Sequence, residues 1–212
     1  VVSGGELMKA LNAGINPKKI VFSGVGKTAE EIEYAIRKKI LLINAESKSE
    51  ILEIEKIARR KRKNVNIGIR LNPNTDAKTL SQISTGKKEN KFGVNQKIFL
   101  QLVSYLKNSK YLNLKCLSVH IGSQILNHKP YEIMLKVIDK IISKSNYKFE
   151  YIDLGGGMGI DYEHNNSKLN LKKYSKNIQK FLKKNNSKII FEPGRSIIGN
   201  SAVLVTKILY IK

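Results

Sequence analysis

The run Tyr151-Ile152-Asp153-Leu154 stops on Gly155-Gly156-Gly157. A short apolar segment bounded by glycines reads as a buried strand, and three consecutive glycines end it in a tight turn. Two other runs end in the same manner. One closes on His120-Ile121-Gly122-Ser123 and the other on Glu192-Pro193-Gly194-Arg195. Each is followed by a helical pattern or a connecting turn. Where parallel strands close into a barrel, the active site is built at their carboxyl ends. Here those ends carry an imidazole, a hydroxyl, bare glycine backbone, a carboxylate and a guanidinium. That set suits a phosphorylated, planar, nitrogen-containing ligand.

Working outward, the same alternation covers the chain. Residues 3–14 read as a helix with a Ser cap and a terminal Gly. Residues 20–23 form a strand. Thr28 caps a helix through Lys39, with Glu31 at the capping-box position. Residues 41–45 form a strand, and Ser47 caps a helix to about Lys61 with Glu50 three residues on. A strand at 65–71 precedes a long polar loop from Asn72 to about Gly93. Helices follow at 96–106, 130–142 and 171–182, and strands at 114–121, 151–154 and 189–191. Residues 202–211 alternate like one more strand. Strands alternating with helices predict an α/β fold with a parallel sheet. A doubly wound sheet is one solution; a (β/α)8 barrel accounts better for chemistry recurring at so many strand ends.

The chain has 212 residues, enough for one sizeable core or most of an α/β barrel. No apolar run approaches the ~20 residues that span a membrane. The start, Val1-Val2-Ser3-Gly4-Gly5, does not read as a signal peptide. The single cysteine, Cys116, lies in an apolar run, which favours a reducing, cytoplasmic setting. The formal charge is +22, from 39 basic and 17 acidic residues. A nucleic-acid-binding protein is one reading of that number. The excess is mostly lysine, dispersed over polar helix faces (Lys136, Lys140, Lys144, Lys172, Lys176, Lys180). The one dense run, 59–63, sits at a helix C-terminus, where cations suit the macrodipole. A solvated, lysine-rich surface with no nucleic-acid partner is the expectation.

The glycine run can bring backbone N–H groups up to a phosphate; its plain alternative is a tight turn. It is not a dinucleotide fingerprint, because Ile160 stands where the third glycine belongs. Gly26-Lys27-Thr28 follows a strand and opens a helix, but Val21 occupies the position of the first P-loop glycine. Glu192 at a strand end needs a partner. A pyridine nitrogen would serve, as would Arg195 or a lysine. His120 could stack on a planar ring or be a satisfied core histidine. The histidines, His120, His128 and His164, are too far apart in sequence for a paired metal site, so no metal is expected.

At these residues the chain resembles the fold III pyridoxal-phosphate-dependent decarboxylases, in particular their diaminopimelate branch. The matching stretches are VVSGGEL (1–7), IVFSGVGKT (20–28), INAES (43–47), IRLNPNTDAKT (69–79), ISTGKKENKFG (83–93), VHIGSQ (119–124), YIDLGGGMGIDY (151–162) and FEPGRSIIGN (191–200). The resemblance implies an incomplete TIM barrel of the alanine racemase-like type, strands three to eight, over residues 1–199. Residues 200–212 would begin a C-terminal β-domain. It implies pyridoxal 5'-phosphate, with His120 stacked on the ring, Ser123, Gly155, Gly156 and Gly157 at the phosphate, and Glu192 on the pyridine nitrogen. Gly194 and Arg195 would lie at the phosphate and substrate end, Arg195 facing a substrate carboxylate, and Arg70 near the cofactor. The family's Schiff-base lysine sits in a Tyr-Ala-x-Lys-Ala-Asn stretch that would precede Val1, so no catalytic lysine is expected here. The implied activity is decarboxylation of meso-2,6-diaminopimelate to L-lysine by a complete, homodimeric parent. Arginine, ornithine or carboxynorspermidine decarboxylation and a non-catalytic cofactor-binding homologue are the alternatives.

Overall fold

The computed structural model describes residues 1–74, 91–163 and 168–211. Parts of two matching stretches, within 75–79 and 83–90, and His164 lie outside them. In chain order the elements are α1 (Gly4–Asn12), a 3₁₀ turn (Pro17–Lys19), β1 (Val21–Phe22), α2 (Ala29–Lys38), β2 (Leu42–Ala45), α3 (Lys48–Lys61) and β3 (Val65–Arg70). There follow α4 (Gln96–Leu106), β4 (Leu112–Ser118), α5 (Lys129–Ser145), β5 (Tyr151–Asp153), α6 (Leu171–Leu182), β6 (Lys188–Ile190) and α7 (Arg195–Ile198).

The helix starts are written locally. Ser3, Thr28, Ser47, Asn95 and Asn170 each accept the backbone N–H three residues on. The capping box at Thr28 is complete, with Glu31 accepting the Thr28 N–H at 2.9 Å. The one expected at Ser47 is half formed. The Glu50 carboxylate turns away to accept from Lys27 Nζ at 2.7 Å and from the Glu46 N–H at 2.7 Å. A buried ammonium is the stronger claimant on that carboxylate. It also explains Gly26-Lys27-Thr28: Lys27 is an internal tie, donating as well to the Asn44 carbonyl at 2.8 Å.

The six strands form one parallel sheet in sequence order, β1 to β6. The register runs through Ile43↔Ile67, Ile69↔Leu117, Leu117↔Ile152 and Ile152↔Ile189, with one irregularity at Ile67/Gly68. Parallel strands linked by helices are covered on both faces, which is why β2 is buried along its whole length. Ile51, Ile54, Phe99, Val103, Tyr131, Met134 and Ile138 pack the helices into the same core. The sheet curls into a half-barrel. Its two edge strands do not pair, yet side chains following them meet: Ser23 Oγ donates to Glu192 Oε1 at 2.8 Å. Residues 202–211 form no strand here. Their apolar side chains, Val203, Val205 and Tyr210 among them, are exposed. Alternation alone makes no strand without a neighbour to pair with.

Candidate functional site

The carboxyl ends of β3 to β6 and the segments after them meet at one end of the half-barrel. Arg70 closes β3. Its Nη1 donates to Glu46 Oε1 at 2.7 Å, and its guanidinium lies 4.8 Å from the Phe92 ring centroid. Its Nη2 is buried and has no hydrogen-bond partner among the described residues. Beyond β4, the half-buried His120 accepts the Gly156 N–H on Nδ1 at 3.2 Å. Burial and the Arg70 charge push its pKa down to about 4, so the imidazole is neutral at pH 7.

Beyond β5, Asp153 Oδ1 accepts the Gly155 N–H at 2.9 Å, and the Gly156 carbonyl accepts Tyr131 Oη–H at 3.1 Å. The three glycines are a packing requirement. A Cβ on Gly156 would sit 2.1 Å from the Glu192 carbonyl oxygen, and one on Gly157 2.3 Å from that of Gly122. Gly157 also has φ +86°, a left-handed conformation that favours glycine. Bare backbone at these points lets the turns after β4, β5 and β6 touch. A tight turn therefore already accounts for the run, and a phosphate role is additional to it.

Beyond β6, the Glu192 N–H donates to the Gly155 carbonyl at 2.8 Å. Arg195 Nε donates to Ser123 Oγ at 3.3 Å and Nη1 to Tyr162 Oη at 3.1 Å. Among the described residues the N–H groups of Gly157, Gly194 and Arg195 donate to no protein acceptor, and the space where a Gly194 Cβ would point is open. So His120, Ser123, Gly155, Gly156, Gly157, Glu192 and Arg195 form one chain of contacts. Gly194 adjoins it, and Arg70 acts on His120 electrostatically.

Four polar residues of this end were not singled out from sequence: Ser23, Asn44, Glu46 and Asp153. Each is buried at or just after a strand end. Their signal was a polar residue inside an otherwise apolar run, which in a core must be hydrogen-bonded or functional.

The donors on this surface are N–H groups, a hydroxyl and guanidinium groups, one of them with an orphaned buried nitrogen. A neutral imidazole and a carboxylate stand beside them. Donors of that kind fit a phosphate, and the flanking pair fits a nitrogen-bearing ring. Fold and site together define an α/β-barrel protein of the kind that holds a phosphorylated cofactor at its strand ends. The family model for the pyridoxal-binding domain of pyridoxal-dependent decarboxylases matches residues 1–199, and the chain belongs to that family, whose cofactor is pyridoxal phosphate. It is similar to the diaminopimelate decarboxylase of Helicobacter pylori strain J99, 46% identical over 214 residues that cover 100% of this chain and 53% of that protein. Against the Zymomonas mobilis diaminopimelate decarboxylase the identity is 40%, covering 100% of this chain and 51% of the relative. The crystal structure of the Helicobacter pylori enzyme complexed with L-lysine superposes with a TM-score of 0.88 at 44% identity, covering 92% of this chain and 50% of that one. The chain thus spans about half the length of the relatives it matches.

Proposed function

We propose that this chain is the cofactor-binding part of a carboxy-lyase that converts meso-2,6-diaminopimelate to L-lysine and carbon dioxide, in the cytoplasm and as a homodimer. One observation carries the reading of the site: three successive strand ends bring His120 and Ser123, the glycine run, and Glu192 and Arg195 into one set of contacts. The substrate follows from the likeness to diaminopimelate decarboxylases over the whole chain. Among the described residues no helix is long and apolar enough to cross a membrane.

When bound, pyridoxal phosphate supplies the electron sink for loss of a carboxylate from an amino acid. The protein's own groups do the rest. Glu192, anchored by the Ser23 hydroxyl, holds a proton on the ring nitrogen through its carboxylate. His120 offers a flat, neutral face. Ser123, Gly155, Gly156, Gly157 and Gly194 surround the phosphate, with Arg70 adding positive charge nearby. Arg195 orients a substrate carboxylate. The buried Lys27 is committed to Glu50 and takes no part. Residues 200–212 open a second, β-rich domain. The family match ends at residue 199, and the exposed apolar side chains beyond it need cover.

The test uses the full-length protein with pyridoxal phosphate. Lysine and carbon dioxide should form in equal amounts from meso-diaminopimelate. Turnover of arginine, ornithine or carboxynorspermidine in preference would move the assignment to that substrate. Cofactor binding with no turnover of any of them would make it a binding homologue.

A further inference from the structure

We propose that Asp153 is a positioning residue for Glu192: the two carboxyl groups share one proton across the barrel interior, and Asn44 and Ser23 hold them in place. This rests on the reading of Glu192 as the ring partner.

The residues come from four places around the half-barrel. Asn44 lies on β2, Asp153 on β5, Ser23 just after β1 and Glu192 just after β6. Asn44 Nδ2 has two hydrogens and two acceptors: Ser23 Oγ at 3.1 Å and Asp153 Oδ2 at 2.8 Å. Ser23 then donates its only hydrogen to Glu192 Oε1 at 2.8 Å. Ser118 Oγ adds a contact to Asp153 Oδ2 at 3.3 Å, and the Gly155 N–H occupies Oδ1. Gly68, beside Asn44 on β3, makes the clasp possible, because a Cβ there would stand 2.1 Å from Asn44 Oδ1.

Every donor in this network is neutral. Among the described residues the cations at this end are engaged: Arg70 by Glu46, Lys27 by Glu50, and Arg195 by the hydroxyls of Ser123 and Tyr162. The neighbouring titratable groups give no positive charge either. Burial holds the Cys116 thiol well above its ordinary range, and His120 is neutral at pH 7. A fully buried carboxylate beside a half-buried one, with no cation paired to either among the described residues, cannot ionise cheaply, so the stable state holds one proton between them. Asp153 is the group to keep it. It is fully buried, while Glu192 is half-buried and already receives a hydroxyl. Burial, then the Glu192 charge, raises Asp153 to about 7. A protonated Asp153 can donate to Glu192 from one side while the Ser23 hydroxyl donates from the other, so that the Glu192 carboxyl group is fixed in direction.

The experiment is isotope-edited infrared spectroscopy of the full-length, cofactor-free protein with 13C-carboxyl aspartate, titrated from about pH 5 to about pH 9. The wild type should show a protonated aspartic acid band that disappears with a midpoint of about 7. Asp153→Asn, nearly isosteric, should lack it. Glu192→Gln removes the neighbouring charge and should lower the midpoint by about one pH unit or more. A wild type without the band, or a midpoint unmoved in Glu192→Gln, would overturn the proposal. If Asp153→Asn does not fold, the Glu192→Gln shift decides alone. No cofactor or substrate is present, so failed turnover of diaminopimelate would count against the function and not against the shared proton.

Discussion

Glu192 is held by a serine hydroxyl beside a neighbouring acid, and among the described residues it forms no salt bridge. That arrangement leaves its charge available for a ligand, whereas a salt bridge to Arg195, the alternative open from sequence, would have consumed it. In the full-length protein Glu192→Ala should keep pyridoxal phosphate, because the glycine run and Ser123 remain. Turnover should fall by about a hundredfold or more, equivalent to about 3 kcal/mol of transition-state stabilisation. Cofactor absorbance measured beside single-turnover rates checks both halves. The same end of the barrel has two opposed pH terms. His120, lowered from 6.5 to about 4, contributes stability present above pH 6.5 and lost as pH falls towards 4. Asp153, raised from 3.8 to about 7, contributes stability present below 3.8 and lost as pH rises through 7. The windows overlap, so the terms offset each other in the wild type. Relative to it, Asp153→Asn should lose stability more steeply on acidification between about pH 6.5 and 4, and His120→Asn less steeply; denaturant titrations at several pH values measure this. His120, the glycines and Glu192 were legible because each ends an apolar run. Asn44 and Asp153 were not, because their partners are 109 residues apart in the chain and only barrel curvature joins them.

At the scale of elements, the alternating pattern was readable because helix caps and strand-ending turns are local. The ranges of α4 and α6 match the sequence reading to the residue. The 3₁₀ turn at Pro17–Lys19 and the short α7 were not anticipated, being too brief for any periodicity to register. Glu31 shows how a local signal acquires a distant job. Besides completing its own capping box it accepts the Gly4 N–H at 2.6 Å, tying the first turn of α1 to that of α2. Glu31→Ala should therefore destabilise the protein by about 1–2 kcal/mol, against a few tenths for the neighbouring Glu30→Ala. Chemical denaturation with an unchanged m-value is the readout. The turn after β5 is stricter. Gly156→Ala places a methyl against the Glu192 carbonyl, where backbone has to move. A cost of about 1–3 kcal/mol is expected, with weakened cofactor binding, since the same shift displaces Glu192 and the His120 contact.

At the scale of the whole molecule, the charge of +22 is the property the site does not explain. The structure distributes it. Lys136, Lys140 and Lys144 line the exposed face of α5, and Lys172, Lys173, Lys176 and Lys180 that of α6. Some are neutralised locally, Lys136 by Glu132 at 2.8 Å and Lys184 by Asp139 at 3.1 Å, pairs exposed enough to add little stability. Nucleic acid could still be drawn to such a surface by charge alone, since sequence-independent binding needs only enough cations to release counterions. What distinguishes a binding site is convergence: a groove of fixed width with stacking aromatics or a helix presented to a groove. Here the aromatic pairs Tyr131–Tyr174 and Phe99–Phe149 belong to the core, and the lysines lie on separate helix faces. Binding to duplex or single-stranded DNA should therefore be weak, with dissociation constants above about 1 µM at physiological salt, and the same for unrelated sequences. Fluorescence anisotropy over a salt series is the measurement. Sub-micromolar affinity that survives physiological salt would mean that the lysine faces act together as an interface, and the charge would then have a function of its own.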